Sequence, residues 1–578
     1  MFELSEQKQQ LLRADGNLLI MGGPGSGKTT IALLKAKQVI EEEGLEDEQR
    51  VLLLSFARAT ITNIEQQARP LISPLTRNHL EINTYHGFAW NILKAHGYLI
   101  NSIPLRILPP PEAASRLAHI SDKKARKSEK YRLFKDEGIL HFDLFAMTCA
   151  KLLAQSNALL GIISDAYPVI ILDEFQDTNA DEWELIRVLG KKSRLIALAD
   201  PEQRIYEFRG ADPARLGEFI DECNPTPFDF GSENHRSKDT DIVQFGNDLL
   251  TGRNKGKIYN NVHCVYYEIR KGNGKHLRLK TTVLNAYKRL TKTGRRDWSL
   301  AVLVPSNNLM LEVSSYLENR QSFGNSRGLP GIEHDVALET AGPALAAVLI
   351  AGLLECGSTK QENPNQLIFD LCEHIRGRKG SKPPSKAHLI FSTALREYLD
   401  SGKVRGTKRQ LAIDECHRII KECNRYVFTG DPGVDWLKIR NLLGGSPLAF
   451  IKQVESDARC LRLLHKGAIL RSSLDNLWRD SENYLGAPEA VKDALLQEHF
   501  SLSTKVQKGI HVMTIHKAKG KEFDEVIIYE GPYQGRIVHN DADKKEIDRA
   551  RLNLRVAVTR ARLHTTILTS SSDVCCLL

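Results

Sequence analysis

The sequence predicts an α/β protein of two parallel-sheet units, each interrupted by a mainly helical insertion. Three observations carry this expectation. Short apolar runs that close on polar residues alternate with helical patterns, as in a parallel sheet covered by helices. A glycine-rich turn leads from the first of these runs straight into a helix. Two long stretches, 93–165 and 343–498, lack the strand pattern and read as helical.

The first apolar run, 18–21, reads as a buried strand. After it, Gly22-Gly23-Pro24-Gly25-Ser26-Gly27-Lys28-Thr29-Thr30 delivers the chain into a helix that runs to about Glu43. Gly22, four residues, then Gly27-Lys28-Thr29 is the spacing of a P-loop, in which backbone N–H groups at a helix N-terminus surround phosphate oxygens. Lys28 is placed to reach the β- and γ-phosphates, and the Thr29 hydroxyl to hold Mg²⁺. Strand before and helix after separate this motif from a chance glycine turn. Further strands are expected at 51–54, 81–83, 169–172 and 195–199, and a second set at 300–304, 510–514, 526–529 and 565–568. Turn formers cluster at 271–275, 324–331 and 376–384, which read as flexible points.

Composition bounds the class. The 578 residues exceed one core, and 42% hydrophobic with 26% charged is the balance of a folded soluble chain. A net charge of +9 permits a polyanion partner without establishing one. The ten cysteines show no CxxC pair and no Cys/His ligand spacing, which argues against zinc and iron–sulfur sites and fits a reducing compartment. No basic-then-apolar leader and no uninterrupted apolar run of about 18 residues is present, so the expected location is the cytoplasm, with no membrane partner. The basic cluster at 122–130 reads first as a solvated face and second as a DNA contact.

Beyond the P-loop, Asp173-Glu174-Phe175-Gln176-Asp177 follows the strand at 169–172. A carboxylate at a buried strand end beside a P-loop can hold the bridging cation, and its neighbour can act as base on water. Asp173 is assigned to the metal and Glu174 to the water. After the next strand, Gln203 stands where an amide can sense a γ-phosphate. Tyr206 and Phe208 offer two aromatic faces, on which bases stack for about 1–3 kcal/mol each. The alternative for these two rings is a place in the core.

Taken in order, these motifs resemble superfamily 1 helicases of the UvrD/Rep/PcrA type, from Leu4 to about Ala561. The family's adenine-reading glutamine motif matches Leu4-Ser-Glu-Gln7, which implies Gln7 as the adenine contact. Ser55-Phe-Ala-Arg-Ala-Thr60 implies Phe56 as a base-stacking ring, and Thr84-Tyr-His-Gly-Phe88 places Thr84 and His86 on the DNA side. DE-x-QD matches 173–177, and Q-x-I-Y-x-[WF]-R-G-A matches 203–211. Asn234-His-Arg-Ser237 resembles N-Y-R-S, with Arg236 as one arginine finger and His235 beside the base. Thr514-Ile-His-Lys-Ala-Lys-Gly-Lys-Glu-Phe523 is similar to T-x-H-x-A-K-G-x-E-F, implying Glu522 on the ribose and His516 on the DNA. Val556-Ala-Val-Thr-Arg-Ala561 matches V-x-x-T-R-A, with Arg560 as the second finger.

The resemblance implies two RecA-like domains, one formed by 1–92 and 166–235 and the other by 236–342 and 499–578, with insertions at 93–165 and 343–498. It implies ATP and Mg²⁺ as cofactors, and single-stranded DNA and single/double-strand junctions as partners. It further implies 3′ to 5′ movement driven by ATP hydrolysed between the domains. No RecB-type nuclease domain or C-terminal partner-binding tail is expected. The sequence departs from the family pattern at His235, at Thr30 in place of a stacking arginine, and at Arg555 in place of an aromatic residue. Two roles fit this motor: DNA repair or replication, and an antiphage system of the Gabija type, whose helicase works beside an OLD-like nuclease. Two rival functions are a nucleotide-gated DNA-binding sensor subunit with little unwinding of its own and an RNA-directed helicase.

Overall fold

Strand β1 (Leu18–Met21) shows why the first sheet forms: Leu18, Leu19 and Ile20 are fully buried, an apolar run covered on both faces as a parallel sheet requires. The computed structural model describes the whole chain except residues 1–4, 43, 57, 121, 201–213, 232–236, 238, 269–275, 324–325, 337–340, 381–382, 460–467, 501–507 and 532–534. Strands β2 (Val51–Ser55), β3 (Leu80–Thr84), β4 (Arg106–Leu108), β5 (Ile139–His141), β6 (Val169–Leu172), β7 (Arg194–Ala199) and β8 (Thr226–Asp229) follow. Six of these eight form one sheet, all parallel, in the order β3-β2-β6-β7-β1-β8.

A second sheet repeats the plan. Strands β9 (Val262–Tyr267), β10 (Ser299–Val304), β11 (Gln321–Phe323), β12 (Ser326–Leu329), β13 (Asp335–Val336), β14 (Gly509–Thr514), β15 (Phe523–Tyr529) and β16 (Ala561–Ser570) complete the described set. Six pair in parallel in the order β13-β14-β10-β15-β16-β9, and β11 with β12 forms an antiparallel hairpin. The protein is therefore α/β with two six-stranded parallel sheets, as its sequence predicts.

The chain divides into two compact units. One holds Met1–Trp90, Ala146–Leu338 and Ser503–Leu578 and contains both large sheets, here called lobe 1 and lobe 2. The other, Asn91–Phe145 with Glu339–Leu502, is helical among its described residues apart from the short parallel pair β4–β5. Its central helix, Ala341–Thr359, has the length and apolar composition of a membrane span, yet 72% of that stretch is buried inside the unit. Ala346, Ala347, Ile350, Ala351 and Leu354 are fully covered by neighbouring helices, so the helix is apolar all round because it is a core.

Three strands of the two large sheets, along with the short pairs β4–β5 and β11–β12, are absent from the sequence expectation. In β8 only Phe228 of Thr226-Pro-Phe-Asp229 is buried, and in β9 only Val262 and Tyr267 are. Both are edge strands, where one covered residue in several is enough and the continuous apolar run disappears. The third, β13, is two residues long.

Candidate nucleotide-binding cleft

The P-loop takes its shape from its glycines. Gly25 and Gly27 have φ of 77° and 88°, a left-handed conformation that side chains resist, and they set the loop in front of the helix Lys28–Glu42. A Cβ on Gly22 would come within 2.7 Å of the Ser26 hydroxyl and 3.2 Å of Phe230, so the loop closes only over a bare backbone. The Lys28 ammonium donates to the carbonyls of Gly22 (2.6 Å) and Gly23 (2.9 Å), which holds its charge over the loop.

Strand β6 ends on Asp173, whose backbone N–H donates to Leu54 O at 2.8 Å and whose Oδ2 accepts from the Ser55 hydroxyl at 3.0 Å. Glu174 next to it has φ 53°, a conformation that costs a non-glycine residue about 1–2 kcal/mol. Two bonds hold it there: Asp177 N–H to Glu174 O at 2.9 Å, and the Gln176 amide to Glu174 Oε2 at 2.6 Å. The two acids titrate apart. Burial, then the Glu174 charge, pushes Asp173 up to about 7, against the Ser55 hydroxyl and Lys28. Burial works to raise Glu174 too, but Lys519, Lys28 and Arg560 together outweigh it and hold this carboxyl below its usual range. Split environments of this kind are how one site keeps one carboxylate ready as a base.

Lobe 2 meets this surface through residues far away in sequence. Lys519 pairs with the buried Asp177, and the Asn63 amide donates to Gly520 O at 2.7 Å. Buried Arg560 donates its Nε–H to Val556 O at 3.0 Å, and Glu522 accepts from Arg562 at 3.1 Å. Buried Arg555 binds Asn247 Oδ1 through Nε (3.3 Å) and Nη2 (3.1 Å) and lies 3.9 Å from Asp200 Oδ1 through Nη1. Between the lobes lies a cavity of about 360 Å³, the size of a small-molecule site. Lobe 1 lines it with Pro24 to Thr30, Gln67, Asp173, Glu174, Leu198 and Asp200, and lobe 2 with Glu522, Arg560 and Arg562.

The cavity thus gathers most of the predicted ATP-site residues that are described. Gln7, Gly22 and Gly23 lie outside its lining, and Gln7 donates to Asp229 O at 3.0 Å. Gln203, Tyr206, Phe208, His235 and Arg236 fall outside the described residues. Phe56, Thr84 and His86 stand at the ends of the paired strands β2 and β3. The Phe56 ring packs on Tyr85 with centroids 4.6 Å apart, and the Thr84 hydroxyl accepts from Gly87 N–H at 2.9 Å. His516 is half-buried in the turn after β14, and burial lowers its pKa. Gln67 and Arg562, which also line the cavity, belong to none of the sequence motifs.

The donor set fits a triphosphate with Mg²⁺. A loop of backbone amides at a helix start, the Lys28 ammonium and the Arg560 guanidinium suit phosphate oxygens. The buried Asp173 carboxyl and the Thr29 hydroxyl are hard oxygen donors. No group of three or more acidic, cysteine or histidine side chains is assembled among the described residues.

Two parallel-sheet lobes with a P-loop in one and arginine in the other define a two-lobed P-loop NTPase. Residues 4–136 and 121–224 match the UvrD/REP helicase N-terminal domain, and 471–572 match the UvrD-like helicase C-terminal domain. The chain belongs to the UvrD/REP helicase family. It is similar to the putative ATP-dependent DNA helicase YjcD of Bacillus subtilis, 22% identical over 97% of this chain and 78% of the relative. It is also similar to a probable DNA helicase II homolog of Mycoplasma capricolum, 23% identical over 96% of this chain and 82% of the relative. To ATP-dependent DNA helicase PcrA of Staphylococcus aureus it is 23% identical over 44% of this chain and 40% of that one.

Proposed function

We propose that this UvrD/REP-family helicase hydrolyses ATP in the cleft between its lobes and uses each cycle to move 3′ to 5′ along single-stranded DNA, unwinding duplex at junctions. The observation that carries the reading is the single cavity lined by Lys28, Asp173 and Glu174 from lobe 1 and by Arg560 and Glu522 from lobe 2. MgATP supplies the transferable γ-phosphoryl group and the cation that neutralises its oxygens. Lys28 and Arg560 put positive charge on opposite walls, where charge develops in transfer. Glu174, kept ionised by those cations and Lys519, accepts the proton of the attacking water. Asp173 and Thr29 are the oxygen donors for the cation. Because Arg560 belongs to lobe 2, hydrolysis requires the lobes to be closed, and closure is the stroke.

Phe56, Thr84 and His86 at the strand ends of lobe 1, with Tyr206 and Phe208 outside the described residues and His516 in lobe 2, form the DNA track in this reading. Residues 1–92 with 166–235 and 236–342 with 499–578 are the two RecA-like domains, and the segments 93–165 and 343–498 their insertions. Such a motor serves DNA repair or replication, or antiphage defence beside an OLD-like nuclease; a stable complex with such a nuclease marks the second role.

The test is ATP turnover with and without single-stranded DNA, with Glu174→Gln as control. Strong stimulation by DNA that the variant abolishes, followed by displacement of a strand from a 3′-tailed duplex, is the expected result. Tight nucleotide binding without turnover in the presence of DNA overturns the motor in favour of a nucleotide-gated sensor. Greater stimulation by RNA of the same sequence overturns the choice of DNA.

A further inference from the structure

Arg555 stands where the family resemblance implies an aromatic side chain, and its surroundings give the guanidinium a task. It is 1% exposed and lies in the last turn of the lobe 2 helix Lys544–Val558, five residues before Arg560. Two of its nitrogens bind Asn247 Oδ1 on the helix Ile242–Thr251 of the same lobe, which fixes the head group sideways. The third nitrogen faces lobe 1, 3.9 Å from Asp200 Oδ1. Asp200 follows β7, is 3% exposed and lines the nucleotide cavity. Its backbone N–H donates to the Gln176 side-chain oxygen at 3.0 Å, and the Gln176 amide donates to Glu174 Oε2 at 2.6 Å. An unbroken line of contacts therefore runs from the end of a lobe 2 helix to the carboxylate assigned to the attacking water.

We infer that Arg555 is a positioning residue of the ATPase site: by holding Asp200 it orients Glu174 through Gln176 and ties hydrolysis to the seating of lobe 2 against lobe 1. The inference rests on the reading of the cavity as an ATP site. It assigns Arg555 a second effect of opposite origin. Asp200 is a carboxylate in the wall that faces the triphosphate, and at this depth charges are weakly screened. The Arg555 charge behind that wall offsets it. A neutral residue at 555 loosens the base and also leaves Asp200 repelling the nucleotide.

The two effects separate in a variant cycle on the full chain. Arg555→Gln keeps much of the volume and a hydrogen-bond donor for Asn247 but loses the charge. Its kcat for DNA-stimulated ATP hydrolysis falls about tenfold, a modest part of what a general base contributes. Equilibrium binding of a fluorescent ATP analogue, read without turnover, weakens about fivefold, a small electrostatic effect for one charge removed. Asp200→Asn also lowers kcat. The double variant falls no further than either single one and regains wild-type affinity for the analogue, because the repelling carboxylate has gone. Arg555→Lys, which retains the charge, stays nearer wild type than Arg555→Gln in both readouts.

Unchanged kcat and affinity in a folded Arg555→Gln protein overturn the inference. So do effects of the two substitutions that simply multiply, or affinity that Asp200→Asn leaves unrestored, because a residue needed only for packing behaves in those ways. If Arg555→Gln melts below the assay temperature, Asp200→Asn with Arg555 intact decides: a kcat equal to wild type removes the link. Wild-type protein without ATPase activity strikes instead at the proposed function, so the two failures are told apart.

Discussion

The two lobes share one architecture and use opposite edges of it. Lobe 1 meets the cleft with the carboxyl ends of its strands: the P-loop follows β1, Asp173 and Glu174 follow β6, and Asp200 follows β7. Lobe 2 meets it with strand beginnings: Glu522 stands just before β15, Arg560 just before β16, and Arg562 in its first residues. At strand carboxyl ends the next helices present their N–H groups, a backbone arrangement that suits anions. Among the described residues, lobe 2 lines the cavity with three charged residues at strand beginnings, Glu522, Arg560 and Arg562. In the proposed function the division of labour is one of binding in lobe 1 and completion in lobe 2.

Two substitutions bring out this difference most strongly. Arg560→Ala and Lys28→Ala should each lower DNA-stimulated ATP hydrolysis by about 10³-fold, the scale of a phosphate-facing cation in phosphoryl transfer. Their binding should differ. Lys28→Ala removes the ammonium held over the P-loop and loses most affinity for an ATP analogue, whereas Arg560→Ala retains it to within about tenfold, because an arginine finger acts on the transition state. Equal loss of binding in both variants would break the proposed division between the lobes. Melting curves separate either effect from loss of fold, a needed control because Arg560 is buried and donates to Val556 O.

The next effect in size concerns the strand ends of lobe 1 to which the proposed function assigns the DNA track. Phe56 is half-buried, packed on a Tyr85 ring that is itself 1% exposed. If its free face carries a base, Phe56→Ala weakens single-strand binding by about 1–3 kcal/mol while basal ATP hydrolysis persists. A fluorescence titration with an oligonucleotide reads this directly. Unchanged DNA affinity with a lowered melting temperature would make Phe56 a packing residue of the β2–β3 edge instead.

What the sequence made legible follows the same division. Lobe 1's contribution is local: strand, glycine turn, lysine and helix lie within one short stretch, and backbone chemistry forces those residue types into that spacing. Asp173 and Glu174 were readable because a fully buried apolar strand ends on them. Lobe 2's contribution is not local. Arg560 and Glu522 were reached only through family resemblance, and Arg562 and Gln67 carried no signal at all. The contact of Arg555 with Asp200 joins segments of different lobes, and only the stacking of the two sheets reveals it; the sequence offered no more than the oddity of a charge at 555. The missed strands β8 and β9 have a parallel cause, since an edge strand buries too little to leave a continuous apolar run.

The smallest predicted effect concerns the charged strand beginnings of lobe 2. His564 lies on β16 two residues beyond Arg562, in register with Glu525 of β15, its ring 4.7 Å from that of His263 on β9. Arg289 stands close by and binds both oxygens of Glu525, at 3.1 and 2.7 Å. Burial, then Arg289 and His263, push the His564 imidazole down to about 4. In the unfolded chain the imidazole titrates near 6.5, so between about 6.5 and 4 the unfolded state takes up a proton that the folded state refuses. Stability from this group is therefore full above pH 6.5 and declines as pH falls towards 4. Because the ring is partly exposed, screening reduces the loss, and a fall of about a few degrees in melting temperature is expected across that window. His564→Gln should flatten that part of the melting profile without changing the neutral plateau of ATP turnover. An acid limb identical in variant and wild type would move the acid sensitivity to another group and leave lobe 2's charged strand edge without a cost in stability.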